Sequence, residues 1–235
     1  MDYFYAAPDQ VQGSSILLTG EESKHLARVL RKAVGETVFI TDGRDRMFEA
    51  VIEAVGKEST RCRVVREEER LHEAGVDVTL AVSLLRNPAR FDVLVEKATE
   101  LGVRRIAPLL CERTVPKKGR SDRLRHIALS AMKQSGRSWL PPVEDAAPFS
   151  AFIREAGEAL RLLPHEGTAA TETLEAAAAQ RGAGQTVVIV VGPEGGFTEG
   201  ELRRAEEAGY RAVSLGERRL RSETAAIAAV ARVLR

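Results

Sequence analysis

The chain is poor in the residues that hold metals or covalent cross-links. It has 235 residues but only 2 cysteines and 4 histidines. Cys62 and Cys111 lie far apart and form no CxxC pair, and the histidines show no spacing typical of metal ligands. We therefore expect no metal site and no disulfide framework.

Long apolar segments are also absent. No run approaches the roughly 20 apolar residues that a membrane-spanning helix requires. The acidic start of the chain lacks the apolar segment of a signal peptide. The sequence therefore predicts a cytoplasmic protein with no membrane partner.

An excess of one charge is the third absence. The chain carries 35 basic and 34 acidic side chains, a net charge of +1. Nucleic-acid binding therefore cannot be argued from the total charge, and any basic surface must be local. The length allows one large domain or two small ones.

The N-terminal part of the sequence reads mostly as strands. Short β-rich runs occur at 15–18, 37–40, 47–52 and 61–65, and the apolar spacing of 21–35 predicts one helix that ends at Gly35. Several short strands with a single helix predict a small β-barrel.

Beyond a charged linker at 66–75, strands and helices alternate. The predicted strands are 76–85, 105–110, 160–163, 187–191 and 212–215, and the predicted helices are 89–101, 121–135, 148–157, 171–181, 199–208 and 222–234. This alternation predicts a parallel sheet covered by helices on both faces. We expect two domains, at 1–72 and 73–235.

A glycine-rich turn follows the strand at 187–191. Gly192, Gly195 and Gly196 permit close backbone approach, and Thr198 and Glu201 have the spacing of a capping box that starts a helix. The stretch matches neither GxGxxG nor a P-loop, and its acidic Glu194 disfavours phosphate. It reads either as a ligand cradle made of backbone groups or as an ordinary turn rich in glycine.

Two further loops follow strands in the same way. At 215–225, Arg218, Arg219 and Arg221 stand beside Glu223, and they are either solvated loop charges or groups that face an anionic substrate. His165 follows the strand at 160–163, so it is either a structural histidine or part of a site at the carboxyl edge of the sheet.

Basic residues cluster in two places, 24–32 and 113–125. Each cluster alone is typical of a solvated face. Two clusters beside a pocket favour binding of a phosphate backbone.

Four motifs together resemble the ribosomal RNA small subunit methyltransferase E family of the SPOUT class. They are Glu96–Val115, Gly192–Phe197, Leu215–Ala225 and His25–Gly43. The resemblance implies a C-terminal SPOUT-type α/β domain with a trefoil knot and an N-terminal PUA-like β-barrel that binds RNA. It also implies a homodimer that transfers a methyl group from S-adenosylmethionine to ring N3 of one uridine in 16S ribosomal RNA of the small subunit.

The resemblance also assigns the cofactor residues, whereas the expected catalytic and RNA-binding residues follow from the chemistry of uracil and from the basic clusters. The expected cofactor residues are Leu163, His165, Gly192, Pro193, Glu194, Gly195, Leu215, Gly216, Leu220, Arg221 and Thr224. The expected catalytic residues are Arg221 and Arg113, which would orient the uracil, and Glu100, which would act as a base. The expected RNA-binding residues are Lys24, Arg28, Arg31, Lys32, Lys117, Lys118, Arg120 and Arg137.

The sequence departs from the family pattern at Arg219, at Met132 and Lys133, and at 85–88. Two other functions stay open at this point. One is a methyltransferase of the same architecture that acts on transfer RNA. The other is a ribosome-binding assembly factor without catalysis.

Overall fold

The computed structural model describes residues 2–155, 157, 159–167 and 172–234. The chain divides into two compact units. The N-terminal unit comprises Met1–Glu73 and Leu129–Leu140, and the C-terminal unit comprises Ala74–Ala128 and Pro141–Arg235. Within the described ranges, no helix is both long and apolar enough to cross a membrane.

The N-terminal unit contains a six-stranded sheet. Its strands are β1 (Tyr3–Tyr5), β2 (Val11–Gln12), β3 (Ser15–Thr19), β4 (Thr37–Thr41), β5 (Arg46–Val55) and β6 (Ser59–Glu69). They hydrogen bond in the order β1-β4-β5-β6-β3-β2, and only β1 and β4 run parallel. Along β3, Ile16 and Leu18 are buried while their neighbours are exposed, which is the alternation of a strand with one face on a core. Side chains from β1, β3, β4, β5 and β6 join one apolar cluster, so the sheet wraps around a single core.

The helix predicted over 21–35 is shorter and changes its winding. It consists of α1 (Gly20–Lys24) followed by a π-helical turn at His25–Val29. The backbone N–H of Leu30 donates to the carbonyl oxygen of His25 at 3.0 Å, a bond that spans five residues. Leu26 and Val29 are spaced for one face of a regular helix, but Leu26 is fully buried while Val29 is 67% exposed. The wider turn therefore breaks the predicted apolar face. The prediction that this helix ends at Gly35 was therefore wrong.

The segment Leu129–Leu140 packs in the N-terminal unit through an ion pair of Arg137 with Glu73. Both side chains are fully or almost fully buried, and Nη2 of Arg137 lies 2.5 Å from Oε2 of Glu73. The other carboxylate oxygen of Glu73 accepts the backbone N–H groups of Ser138 and Trp139 at 3.0 and 2.9 Å. The prediction that Arg137 binds RNA needs correction, because its guanidinium is enclosed and occupied by a carboxylate.

The C-terminal unit is built on a seven-stranded sheet. Its strands are β7 (Val78–Ser83), β8 (Arg105–Leu110), β9 (Ala147–Pro148), β10 (Ala159–Pro164), β11 (Glu172–Thr173), β12 (Thr186–Val191) and β13 (Arg211–Ser214). Its helices are α2 (Pro88–Leu101), α3 (Ser121–Ser135), which continues into the N-terminal unit, α4 (Phe149–Phe152), α5 (Leu174–Ala179), α6 (Glu199–Glu207) and α7 (Ser222–Val233). The strand order is β11-β13-β10-β12-β7-β8-β9 and every pair is parallel, which confirms the predicted parallel sheet.

Local signals account for most of these elements. The side chain of Asn87 caps α2 by accepting the N–H of Ala89 at 3.0 Å, and Gly102 ends the helix with a φ of 113°. α3 has the predicted bounds. The helix predicted over 148–157 is only α4, and residue 156 lies outside the described residues. The helix predicted over 171–181 is α5, and its first predicted residue also lies outside them.

The strand order determines where a ligand site can form. β10 lies between β12 and β13, so the loops after these three strands leave the same edge of the sheet side by side. In parallel α/β sheets this carboxyl edge is where ligands bind.

Candidate functional site

A cavity of about 270 Å³ lies at the carboxyl ends of β10, β12 and β13. Its walls come from the three loops that follow these strands, from the start of α7 and from one side chain of the loop after β8. The lining residues are Arg113, Pro164, His165, Glu166, Val191, Gly192, Pro193, Gly195, Gly196, Phe197, Leu215, Gly216, Arg218, Leu220, Ser222 and Ala225.

The glycine-rich turn forms one wall of this cavity. The N–H of Gly196 donates to the carbonyl oxygen of Pro193 at 2.8 Å and closes the turn, and Gly196 has a φ of 70°, which strongly favours glycine. A Cβ on Gly192 would lie 3.0 Å from the ring of Phe197, so a larger residue would displace that buried ring. The capping box predicted for Thr198 and Glu201 is confirmed and starts α6.

Arg113 lies along the same turn. Its Nη1 donates to the carbonyl oxygens of Gly195 at 2.8 Å and of Phe197 at 3.4 Å. The guanidinium of an arginine has five N–H donors in a planar fork, so these bonds leave other donors available to a ligand. Arg113 therefore adds a positioned positive charge to the cavity.

The loop that carries Arg113 is anchored on both sides. Before it, the backbone N–H of Cys111 donates to Oγ1 of Thr114 at 2.8 Å, and Thr114 bonds to Oγ of buried Ser83 at 2.7 Å. Beside it, the buried carboxylate of Glu201 accepts the N–H of Glu112 at 2.8 Å. Glu201 also caps α6, so one carboxylate ties the arginine loop to the glycine-rich turn.

The titratable groups of the cavity are Arg113, His165, Glu166 and Arg218. Nδ1 of His165 accepts the N–H of Gly167 at 2.9 Å, so the neutral ring carries its proton on Nε2. Oε2 of Glu166 lies 3.2 Å from Nε of exposed Arg219. Within the described ranges no cluster of acidic, histidine and cysteine side chains could hold a metal ion.

Cys111 directly follows β8 and lies two positions before Arg113, but it is not a reactive thiol. Burial raises the pKa of its thiol to about 12. A thiol with such a pKa stays protonated near neutral pH, and the protonated form is a poor nucleophile. Chemistry in this cavity therefore does not pass through a cysteine.

The structure gathers most of the expected cofactor residues but not all of them. Those that line the cavity are His165, Gly192, Pro193, Gly195, Leu215, Gly216 and Leu220. Leu163 is 2% exposed and packs in the core instead. The carboxylate of Glu194 accepts the N–H of Arg86 at 2.9 Å, and neither Arg221 nor Thr224 is among the described residues that line the cavity.

The expected catalytic residues occupy three different places. Arg113 lines the cavity, and Arg221 is the N-cap residue of α7, between the lining residues Leu220 and Ser222. The structure does not bring Glu100 to the cavity. It lies in the last turn of α2, which runs back toward the amino edge of the sheet, and its carboxylate accepts a bond from Lys97 at 2.8 Å.

The other expected RNA-binding residues form two exposed groups. In the N-terminal unit, Lys24, Arg28 and Arg31 are exposed, while Lys32 lies 3.6 Å from Asp2 and is only partly accessible. In the C-terminal unit, the exposed loop between β8 and α3 carries the remaining three, which are Lys117, Lys118 and Arg120.

Several lining residues were not anticipated. They are Pro164, Glu166, Val191, Phe197, Ser222 and Ala225, all of them neighbours of anticipated residues. Phe197 is the informative case, because its ring fills the space opposite Gly192 and packs on Phe149 with ring centroids 5.2 Å apart. Its position directly after two glycines was the available signal.

Comparison with known families covers nearly the whole chain. A family described as an RNA methyltransferase domain matches residues 72–234. A second family, described as an RNA methyltransferase PUA domain, matches residues 18–65.

Curated relatives and solved structures agree with these matches. The ribosomal RNA small subunit methyltransferase E of Synechocystis sp. is 32% identical over 97% of this chain and 75% of its own length. The Mycobacterium bovis protein of that name is 32% identical over 98% of this chain and 89% of its own. The Neisseria gonorrhoeae enzyme, solved bound to S-adenosyl methionine, superposes with a TM-score of 0.87 at 32% identity over 98% of this chain and 95% of that one. A Legionella pneumophila protein in complex with the bound cofactor SAM superposes with a TM-score of 0.84 at 30% identity over 98% and 96% of the two chains.

Proposed function

Because the chain belongs to the ribosomal RNA small subunit methyltransferase E family, we propose that it methylates ring N3 of one uridine in 16S ribosomal RNA of the small subunit. S-adenosylmethionine is the methyl donor. The observation that carries the proposal is the cavity at the carboxyl edge of the sheet, in which a glycine-rich turn meets a positioned arginine.

The residues of the cavity fit S-adenosylmethionine. The volume of about 270 Å³ is close to the roughly 300 Å³ at which small-molecule sites begin. Leu215 and Leu220 offer apolar walls to an adenine ring, and Gly192 and Gly195 let backbone groups approach the ligand. The donor carries no phosphate, so a turn that is not a P-loop suits it.

The bound donor supplies a methyl group on a positively charged sulfur. Uracil N3 carries a proton and is a poor nucleophile until that proton leaves. The guanidinium of Arg113 stabilises the negative charge that develops on the uracil and so favours loss of the N3 proton to water. We assign to Arg221, the N-cap residue of α7, a contact with the uracil or its phosphate. Positioning of the two reactants supplies much of the remaining acceleration.

The RNA side of the proposal concerns an unpaired uridine and the exposed basic residues of the PUA-like unit. N3 lies on the pairing edge of uracil, so the target must be unpaired or flipped out of its stack. Exposed Lys24, Arg28 and Arg31 of the PUA-like unit provide phosphate contacts, with Lys32 as a partly accessible fourth. Because the substrate is ribosomal RNA, the site of action we propose is the cytoplasm.

Two further features of the family belong to the proposal. β12 and β13 lie on opposite sides of β10, so the connection through α6 passes β10, and α7 then packs on α2 and β12. We propose the trefoil knot of the family for this part of the chain. The homodimer of the family is part of the proposal, and the apolar side chains of Val93 and Leu101 on α2, 49% and 37% exposed, are available to its interface. We also propose domain boundaries at 1–72 and 73–235, with Leu129–Leu140 packed in the N-terminal unit.

The test is methylation of small subunits purified from a strain that lacks this gene. We expect one methyl group per 16S ribosomal RNA, which mass mapping places on N3 of a single uridine. Methylation of transfer RNA instead would contradict the substrate. Absence of S-adenosylmethionine binding in calorimetry would contradict the enzyme and favour a non-catalytic assembly factor.

A further inference from the structure

A second pocket, of about 210 Å³, lies in the C-terminal unit. The loop after β7 and the loop after β8 form it, together with the first turns of α2 and α3. Its apolar walls are Leu84, Leu85, Phe91 and Leu124, each no more than 5% exposed, with Pro88 and Pro116 at the sides. The volume is below the roughly 300 Å³ of typical drug-sized ligand sites, so the pocket suits a single ring system.

The rim of this pocket is cationic. Arg86, Lys118 and Arg120 line it and are exposed, and no carboxylate among the described residues lies within ion-pair distance of their side chains. The acidic lining residue, Asp92, is bonded to Arg123 at 2.9 Å. The pocket therefore combines apolar walls, which include the ring of Phe91, with positive charge, and proteins that bind single-stranded nucleic acid use aromatic and cationic side chains together.

One hydrogen bond and one shared loop connect this pocket with the cofactor cavity. Oε1 of Glu194 accepts the N–H of Arg86 at 2.9 Å, and Pro193, the preceding residue, lines the cavity. The residue that bonds to Arg86 of the pocket rim is therefore the chain neighbour of a residue that lines the cavity. The loop after β8 likewise supplies Arg113 to the cavity and Lys118 to the pocket.

We propose that this pocket binds one nucleotide of the substrate RNA that adjoins the methylated uridine. Its base lies against the apolar walls and its phosphate lies on Lys118 and Arg120. A flipped uridine loses stacking on its neighbours, so a separate site for a neighbouring base would hold the distorted strand open. This inference rests on the proposed function, because it takes the cavity as the place of methyl transfer.

The first test uses RNA hairpins that contain the target uridine and, one at a time, an abasic ribose at each flanking position. Binding is measured by fluorescence anisotropy and methylation in single turnover. We expect one flanking position at which the abasic ribose weakens binding to the wild-type protein by about tenfold, because base stacking on a protein surface contributes on that order. Equal binding of all the abasic hairpins would overturn the proposal.

The second test compares Lys118→Ala with its neighbour Lys117→Ala. Both lysines are exposed, but only Lys118 lines the pocket. We expect Lys118→Ala to lower the slope of log affinity against log salt by about 0.7, the value for one phosphate contact on a single strand. It should also reduce the abasic penalty to less than about threefold, because base and phosphate contacts of one nucleotide are coupled. Lys117→Ala should keep the abasic profile of the wild-type protein.

The same measurements separate this inference from the proposed function. If the two lysine variants show the same abasic profile, the nucleotide site is wrong even though the wild-type protein methylates its target. If Lys118→Ala changes the oligomeric state and leaves RNA affinity unchanged, the pocket is a contact between copies of the chain and the inference is overturned. Failure of the wild-type protein to methylate any RNA would overturn the proposed function, whatever the binding profile.

Discussion

Nη1 of Arg113 lies 2.8 Å from the carbonyl oxygen of Gly195 and donates a hydrogen bond to it. The two residues belong to loops that follow different strands, β8 and β12. A Cβ on Gly195 would lie 3.5 Å from the side chain of Arg113, so the arginine stem runs directly along the glycine turn. The glycine-rich turn that lines the cofactor cavity is therefore in direct contact with Arg113, the arginine to which we assign the stabilisation of the uracil anion.

This contact predicts the effect of Arg113→Ala. The variant should lower the single-turnover rate of methylation by about 10²–10³, the usual loss when one donor to a developing anion is removed. The rate of Arg113→Lys should lie between the rates of the wild-type protein and Arg113→Ala, because an ammonium group keeps the charge but not the fork of donors. The dissociation constant for S-adenosylmethionine, measured by calorimetry, should change by less than about threefold. This corresponds to less than about 1 kcal/mol of binding free energy.

Arg203→Ala is the matched control for this prediction. Arg203 is an exposed arginine on α6 that does not line the cavity. Its loss should leave the rate unchanged. A wild-type rate in Arg113→Ala would refute the role of Arg113.

Glu201 provides the second prediction. Its two carboxylate oxygens accept the N–H groups of Glu112 at 2.8 Å and of Thr198 at 2.9 Å. In Glu201→Gln one of these oxygens becomes an NH₂ group that faces an N–H donor. We expect the free energy of unfolding to fall by about 1–3 kcal/mol, the cost of a buried donor without an acceptor. Urea denaturation measures this change.

Thr198→Ala distinguishes capping from positioning. It removes the side-chain cap of α6 and costs about 1 kcal/mol, but it keeps the bond between Glu201 and Glu112. If Glu201 positions the arginine loop, Glu201→Gln should lower the methylation rate more than Thr198→Ala does. Equal rates in the two variants would mean that Glu201 acts only as a helix cap.

Local signals explain which parts of this architecture could be predicted. α3 has its predicted bounds because its apolar periodicity and its first polar residue are properties of one short stretch. Gly192, His165 and Leu215 were expected to meet because parallel strands bring their carboxyl ends to one edge. The resemblance to the family, now confirmed, identified the ligand of that edge.

Long-range relationships explain what could not be predicted. Glu73 and Arg137 are separated by 64 positions, and nothing near either residue shows that they pair. Glu100 follows an ordinary helical pattern, and only the direction of α2 in the folded sheet separates it from the cavity. The π-helical turn at His25–Val29 follows α1 without a break, and apolar spacing alone does not indicate such a change of winding.

The pair of Arg137 with Glu73 makes the third prediction. Arg137→Leu leaves a fully buried carboxylate without its partner cation, so the free energy of unfolding should fall by about 3–5 kcal/mol. RNA affinity of the remaining folded protein should not change, because the guanidinium is enclosed. Denaturation in urea and RNA anisotropy below the transition measure the two quantities.

Arg28→Ala should behave in the opposite way. Arg28 is exposed and is one of the residues to which we assign phosphate contacts. Its loss should reduce RNA affinity and salt dependence, while stability changes by no more than about 0.5 kcal/mol. Loss of RNA affinity in Arg137→Leu at unchanged stability would restore the original prediction for Arg137.

Two buried groups of the C-terminal unit make stability depend on alkaline pH. Burial raises the pKa of the Cys111 thiol from 9.0 to about 12 and that of the Tyr210 hydroxyl from 10.0 to about 12. At a pH between the normal and the raised pKa values, the unfolded chain has lost protons that the folded chain still holds. The folded state then binds more protons, so the free energy of unfolding falls as pH rises.

The fourth prediction is that this stability is fully present below about pH 9 and is lost progressively toward pH 12. Urea denaturation at half-unit intervals from pH 7 to pH 11 should show a flat region followed by a decline. Tyr210→Phe removes one of the titrating groups, so the decline above the normal pKa of tyrosine, 10.0, should be shallower than in the wild-type protein. Cys111 should also resist iodoacetamide at pH 8 until the chain unfolds, because only the thiolate reacts. Stability that rises with pH in this range, or rapid alkylation of folded Cys111, would show that these groups are not held in their neutral forms by burial.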